Sequence, residues 1–329
     1  MKGILLINLG SPKDLNLESV KIYLKEFLED ELVIDIPAFL RKILVNNFIV
    51  PFRAKKTLEA YKAIWKEDGS PLIINTRSLK EKLQKEVTYP IEFAMRYQEP
   101  SIELSMKKLI DKGCTSLIIL PLYPHYAMAT SLTTIRKVEE INNKLQSKLK
   151  LKFIKSFHNN SQYIHALSSK IKPFINNIDY LLFSYHGIPK SHLTKMDPTG
   201  SHCLKSKNCC QVESEAKQYC YKSQVLETSR LCASSLELKN KQWGVAFQSR
   251  IGPGWLKPFS DIEFKELPKK GFKNIAVVCP SFLLDNLETL EEVQIRGRET
   301  FISAGGENFH YIPCLNQDDL WIDCLTNLI

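Results

Sequence analysis

The sequence predicts an α/β protein made of two similar doubly wound parallel-sheet domains with a cleft between them. Three observations carry that expectation. Short apolar runs alternate with helical patterns, Gly or Pro bounds the runs, and the order of motifs in the first half recurs in the second. A chain of 329 residues also has room for two domains at ~150 residues each.

Along the chain the runs are Ile4 to Asn8, Ile91 to Met95, Leu117 to Leu120, Leu181 to Ser184, Gly244 to Phe247 and Ile275 to Val278. Between them Thr76 to Glu86 and Ser101 to Lys112 read as helices, the second stopped by Gly113. Laying Leu5-Leu6-Ile7-Asn8-Leu9-Gly10-Ser11-Pro12 over Leu182-Phe183-Ser184-Tyr185-His186-Gly187-Ile188-Pro189 brings the Gly and Pro residues into register. Phe93-Ala94-Met95 then overlays Val245-Ala246-Phe247, and Lys112-Gly113 before the third run is echoed by Lys270-Gly271 before the sixth. Halves at 1–160 and 161–329 follow, with a cysteine-rich insertion at 200–222 in the second.

Only 13 Gly and 16 Pro stand beside 44% apolar residues, which excludes low-complexity and fibrous chains. Lys and Arg number 45 against 36 Asp and Glu, a net charge of +9 that favours anionic partners only weakly. No basic stripe with interleaved aromatics, zinc finger or helix-turn-helix pattern is present, so no nucleic acid is expected as partner. Gly3 to Ile7 is too short for a signal peptide, and the longest uncharged stretch, Gly113 to Ile135, contains Pro121, Pro124 and His125. A soluble, cytoplasmic protein is the expectation.

Ligands of doubly wound sheets bind beyond the carboxyl ends of the strands. His186 stands at such an end, where an imidazole suits proton transfer or metal ligation. Glu288 follows the last run within Asp285-Asn286-Leu287-Glu288, a pattern that also reads as a capping box with Asp285 as the cap. Glu292 lies a turn further on and Glu291 adds another acid, a row suited to passing protons or attracting a cation. G-x-G-x-x-G, G-x-x-x-x-G-K-[ST] and G-x-S-x-G are all missing from the strand-to-helix junctions.

Five stretches in order then carry a resemblance. They are Leu6 to Pro12, Gly69-Ser70-Pro71-Leu72, Ser184 to Pro189, Gln248-Ser249-Arg250-Ile251-Gly252-Pro253, and Cys279 to Glu292. Together they make nearly the whole chain resemble the ferrochelatase family, whose chelatase-like, Rossmann-like halves face each other across a porphyrin cleft. The resemblance implies insertion of Fe2+ into a porphyrin, with His186, Glu288 and Glu292 catalytic and with His186 and Glu288 handling the iron. By motif match Leu9, Arg53, Tyr61, Ser70, Arg96, Tyr97, Tyr123, Ser131, Gln248, Ser249 and Trp255 would bind the macrocycle. Some relatives carry a histidine and a further acid where Asn286 and Arg296 stand here, which shortens the acidic path.

Leu9 occupies a place where coproporphyrin-type relatives tend to carry a tyrosine, so protoporphyrin IX is the expected substrate and coproporphyrin III the alternative. Phe39 to Val50 mixes apolar and basic residues and reads as a core helix; the resemblance makes it a lip that also allows peripheral membrane contact.

Nine cysteines, odd in number and expected in a reducing compartment, are not read as disulfides. Cys203, Cys209, Cys210 and Cys220 crowd one segment without the C-x₂₋₄-C pairs of a zinc ribbon. They resemble the internal ligands of a [2Fe–2S] cluster in a subset of bacterial ferrochelatases, with zinc as runner-up and four unliganded thiols as the bland alternative. Two readings of other classes compete: a noncatalytic porphyrin or haem carrier, and a flavodoxin-like iron–sulfur electron carrier, which lacks its phosphate loop.

Overall fold

The computed structural model describes residues 1–252 and 254–329; Pro253, which closes the Gln248–Pro253 motif, lies outside the described residues. The chain forms two compact units. The first comprises Met1–Tyr123, Met128–Lys155 and Leu325–Ile329, and the second Pro124–Ala127 and Ser156–Cys324.

The first unit contains β1 (Lys2–Asn8), β2 (Ile91–Met95), β3 (Ser116–Pro121) and β4 (Lys150–Phe153), parallel and ordered β2-β1-β3-β4. The second repeats the plan with β5 (Tyr180–His186), β6 (Trp243–Gln248), β7 (Asn274–Val278) and β8 (Asn308–Ile312), ordered β6-β5-β7-β8. The overlay of Leu5–Pro12 on Leu182–Pro189 thus pairs the two central strands, β1 and β5. Burial explains why these runs are almost wholly apolar: Ile4, Leu5, Leu6 and Ile7 are each 0% exposed. Leu5, Ile7, Ala94 and Ile119 pack with Met106 and Val138 from helices in one unit, as Leu182, Ala246, Ile275 and Val277 pack with Phe264 and Phe301 in the other.

Two strands carried no sequence signal. Both β4 and β8 lie at sheet edges, where the side chains are only partly covered and Lys, Asn and His interrupt the apolar pattern. The helix expected from Thr76 starts earlier, at Pro71, because a proline at the first helical position forfeits no hydrogen bond. The helix read from Ser101 does begin there: the Leu104 N–H donates to Ser101 Oγ, and the Gly113 and Cys114 N–H groups close the far end on Ile110 and Leu109.

The glycine that follows each central strand is fixed by close approach. A Cβ on Gly10 would lie 2.0 Å from the Tyr97 carbonyl oxygen at φ +118°, and one on Gly187 would lie 2.9 Å from the Gln248 carbonyl oxygen. Those contacts hold the chain against the neighbouring strand as it leaves the sheet, which sets the direction of the residues at each strand tip.

The core-helix expectation for Phe39 to Val50 is overturned. A helix over Ala38–Ile43 runs into a π-helical turn over Leu44–Ile49 and then a helix over Val50–Lys62, and the first of these buries none of its residues. Phe39 is 73% exposed and Phe52 79%, with Leu40 and Phe48 also in solvent. Alternation of apolar and basic residues is ambiguous between a buried stripe and an uncovered one, and here the stripe is uncovered. Among the described residues no helix is long and apolar enough to cross a membrane.

Candidate active site

His186 is the last residue of β5, three places beyond Phe183↔Val278, the final pair with β7. Its Nδ1 lies 2.6 Å from the Gly187 carbonyl oxygen, which can only accept, so Nδ1 carries the proton and Nε2 presents its lone pair. Burial pushes the imidazole below its usual range, against the opposing pull of Glu292 and the Gly187 carbonyl. The ring is therefore neutral near pH 7. Trp255 and Phe282 flank it at centroid distances of 6.4 and 6.2 Å.

The His186 backbone is held where β7 has already turned away. Its N–H donates to Ser281 Oγ at 2.8 Å, and its carbonyl accepts from the Tyr221 hydroxyl at 2.9 Å. On the other side the Gly187 N–H donates to the Gln248 carbonyl. Tyr221 gave no sequence signal, because an isolated tyrosine at a helix start looks like any packing residue.

Glu288 opens a π-helical segment, Glu288–Gly297. The capping box expected from Asp285 and Glu288 is displaced by one residue. Asn286 Oδ1 accepts the Thr289 N–H at 3.1 Å while Thr289 Oγ1 accepts the Asn286 N–H at 3.0 Å, so the reciprocal pair is Asn286 and Thr289. Asp285 instead sits in a buried knot, accepting from Tyr311, the Cys314 N–H, Asn316 and Thr289.

The acidic row is also shorter than expected. Glu291 is taken by Arg296 at 2.7 Å, five residues on, the spacing that π-helical winding brings together. Glu292 is held from outside the helix by Ser249, whose N–H donates to Oε1 at 2.8 Å and whose hydroxyl donates to Oε2. Ser249 reaches it from a left-handed backbone, φ 63°. Gln248 is buried, with Oε1 accepting from Ser184 at 2.6 Å and Nε2 3.5 Å from the Glu288 carbonyl oxygen. Both residues expected to touch substrate also bond to the carboxylate segment, and Trp255 lies beside His186.

In the first unit the expected binding residues divide into two kinds. Arg53 is exposed on the Val50–Lys62 helix and Leu9 is half-buried at the tip of β1. Tyr61 is buried edge-on against Trp65, and Ser70, Tyr123 and Ser131 are buried as well. Arg96 and Tyr97 belong to a network centred on Asp30, which the sequence did not mark: Arg96 Nη2 lies 2.5 Å from Asp30, and the Tyr97 hydroxyl donates to the same carboxylate at 2.9 Å. Arg96 Nε also donates to Thr133 Oγ1, and burial raises the Tyr97 phenol well above its usual range.

Cys203, Cys209 and Cys220 are buried and Cys210 is half-buried, all as free thiols. Cys203 lies in the loop after the Lys190–Lys195 helix, Cys209 and Cys210 in the turn Cys209–Gln211, and Cys220 just before the Tyr221–Ser235 helix. Asp197 arranges the approach, accepting the His202 and Cys203 N–H groups at 2.8 Å each, while His202 Nε2 meets the Cys209 carbonyl oxygen at 2.8 Å. Among the described residues no three His, Cys, Asp or Glu side chains are arranged around a single metal ion.

Comparison with solved structures shows the fold. SirB from Bacillus subtilis with Fe3+ superposes with a TM-score of 0.57 at 13% identity, covering 99% of this chain and 93% of that one. The sirohydrochlorin chelatase SirB from Bacillus subtilis subspecies spizizenii in complex with cobalt gives a TM-score of 0.54 at 12% identity, covering 99% and 92%. Sequence comparison is more specific. A ferrochelatase of Opitutus terrae is 43% identical over 333 residues, covering 100% of this chain and 96% of the relative. Those of Pseudomonas fluorescens Pf0-1 and Legionella pneumophila Philadelphia 1 are 40% and 42% identical, covering 99% and 100% of this chain and 96% and 98% of the relatives. With the family profile described as Ferrochelatase matching residues 1–329, from first residue to last, this chain belongs to the ferrochelatase family.

Proposed function

We propose that this chain inserts Fe2+ into protoporphyrin IX to form protohaem, the terminal step of haem biosynthesis. Family membership supports the reaction class, and the observation that carries the residue assignment is the neutral His186 imidazole with Nε2 available. Metallation exchanges two pyrrole N–H protons for one dication, so a base must receive protons as the metal enters. His186 is the acceptor in this reading, because its lowered basicity keeps it unprotonated and ready. Glu292, fixed by Ser249, favours the imidazolium that forms, and Glu288 and Glu292 pass protons on or draw in the cation.

The macrocycle is assigned to Leu9, Arg53, Tyr61, Ser70, Tyr123, Ser131, Gln248, Ser249 and Trp255, with Arg96 and Tyr97 set by Asp30. An aliphatic Leu9 offers no metal ligand, which favours protoporphyrin IX over coproporphyrin III. The exposed Phe39, Leu40, Phe48 and Phe52, with Lys42, Arg53, Lys55 and Lys56 in solvent beside them, support peripheral contact of a cytoplasmic protein with an anionic membrane.

Four cysteines crowded into one segment, three of them buried, support a [2Fe–2S] cluster that Cys203, Cys209, Cys210 and Cys220 would hold. Such a cluster supplies structure or sensing, since insertion of ferrous iron transfers no electron. An anaerobic assay with Fe2+ and protoporphyrin IX tests the whole reading. Conversion of the porphyrin spectrum to that of haem is expected, whereas tight porphyrin binding without conversion would replace the enzyme with a carrier.

A further inference from the structure

Two hydroxyls hold the His186 backbone from either end. Ser281 accepts the His186 N–H at 2.8 Å, and the Tyr221 hydroxyl donates to the His186 carbonyl at 2.9 Å. Together they bracket one residue, standing in for the strand pairing that β7 no longer supplies. Tyr221 is 4% exposed, and its ring lies edge-on to His125 at 5.9 Å, so the phenol has little freedom to release its partner.

Tyr221 is also the residue after Cys220. Cys220 immediately precedes the Tyr221–Ser235 helix, and Gln224 in the first turn donates back to the Lys217 and Gln218 carbonyls at 3.3 and 2.9 Å. The end of the cysteine segment and the start of that helix are thus joined by side-chain bonds as well as by the chain. One peptide bond separates Cys220 from Tyr221, whose phenol donates to the carbonyl of the residue whose imidazole Nδ1 is anchored one peptide further on.

We propose that Tyr221 is a positioning residue for the His186 imidazole and links its setting to the state of the four-cysteine segment. The proposal rests on the reading of His186 as the proton acceptor, but its central test does not use turnover. Tyr221→Phe keeps the ring packing and removes only the hydroxyl. In wild type and variant, the His186 ring nitrogens are followed by NMR at one fixed pH while Cd2+, a thiolate probe, is added to reduced, chelator-stripped protein. A Cys203→Ser/Cys210→Ser protein controls for Cd2+ bound elsewhere.

The expected result has three parts. Tyr221→Phe shifts the His186 ring signals before any metal is added, Cd2+ shifts them in wild type, and Cd2+ leaves them in place in both the phenylalanine variant and the serine control. In the metallation assay the variant loses about tenfold in kcat with KM changed less than about twofold, as misplacement of a reacting group predicts. Identical ring signals in wild type and Tyr221→Phe overturn the positioning role. A Cd2+ response that is absent from wild type, or that survives in the variant, overturns the link. Should Tyr221→Phe not fold, Tyr221→Met removes the same hydroxyl from a side chain that can still fill the site and is read in the same way. Failure of wild-type metallation with the ring shifts intact would count against the assigned reaction and leave the link standing.

Discussion

At the scale of single residues, His186 carries the sharpest expectations. His186→Ala should abolish metallation while porphyrin binding and melting temperature stay near wild type, because the backbone clamp by Ser281 and Tyr221 does not involve the imidazole. Near-normal turnover would refute the assignment. Burial depresses the affinity of His186 for protons, so the acid limb of kcat/KM is expected to have its midpoint below 6.5. The same burial affects stability, and His125 is shifted in the same direction. Both bind protons more readily in the unfolded chain, so the stability they contribute is complete above about pH 6.5 and is lost as pH falls below it. Denaturant titrations between pH 7.5 and about 5 measure that slope, and a flat profile would contradict it. Glu288 and Asn286 separate chemistry from folding on one segment. Glu288→Gln should cost turnover without stability, whereas Asn286→Ala should cost about 1 kcal/mol through loss of the reciprocal cap.

At the scale of elements, the exposed helix containing Phe39 and the one containing Phe52 make a prediction of their own. Phe39→Ser/Phe52→Ser should reduce binding to anionic vesicles by at least about tenfold, since burying each ring is worth about 1.5–3 kcal/mol. Equal sedimentation of variant and wild type would remove the membrane contact. For the cysteine segment, anaerobically purified protein is expected to be reddish brown and to lose its visible absorption on Cys→Ser change at any of the four positions. A colourless protein with stoichiometric zinc would reassign the site to zinc, and a metal-free protein would leave four thiols. Sequence pattern foretold the strands that read as continuous apolar runs and failed at the edge strands β4 and β8, where polar residues interrupt the run. It also misjudged the Phe39 to Val50 stretch, since periodicity reports that one face is apolar and says nothing of what covers it.

At the scale of the whole molecule, protoporphyrin IX should be metallated faster and bound more tightly than coproporphyrin III. Competition between the two porphyrins under anaerobic Fe2+ decides it, and preference for coproporphyrin III would contradict the inference drawn from Leu9. Of the proposed site, His186 and the Glu288–Glu292 stretch stand out in the sequence by strand-end position and spacing. What escaped were residues that act through others. Asp30 holds Arg96 and Tyr97, Ser249 holds Glu292, and Tyr221 holds His186, and each such bond joins residues far apart in the chain. Pattern within a window cannot report a partner outside it, whereas the repeated strand order could be read because it is written twice.

The exits of the two central strands have a consequence for mutational tolerance. At Gly10 and Gly187 the obstacle to a side chain is a backbone carbonyl oxygen, that of Tyr97 just beyond β2 and that of Gln248 at the end of β6, which cannot rotate aside as a flexible side chain would. In a library that samples every codon, both sites should therefore accept glycine alone, and the smallest replacement should be as damaging as the largest. Gly10 has no side chain to offer any reaction, yet its fitness profile would match that of His186. Intolerance to substitution in this protein marks two different demands, one for an imidazole and one for empty space, and a scan that scores only survival will rank them together.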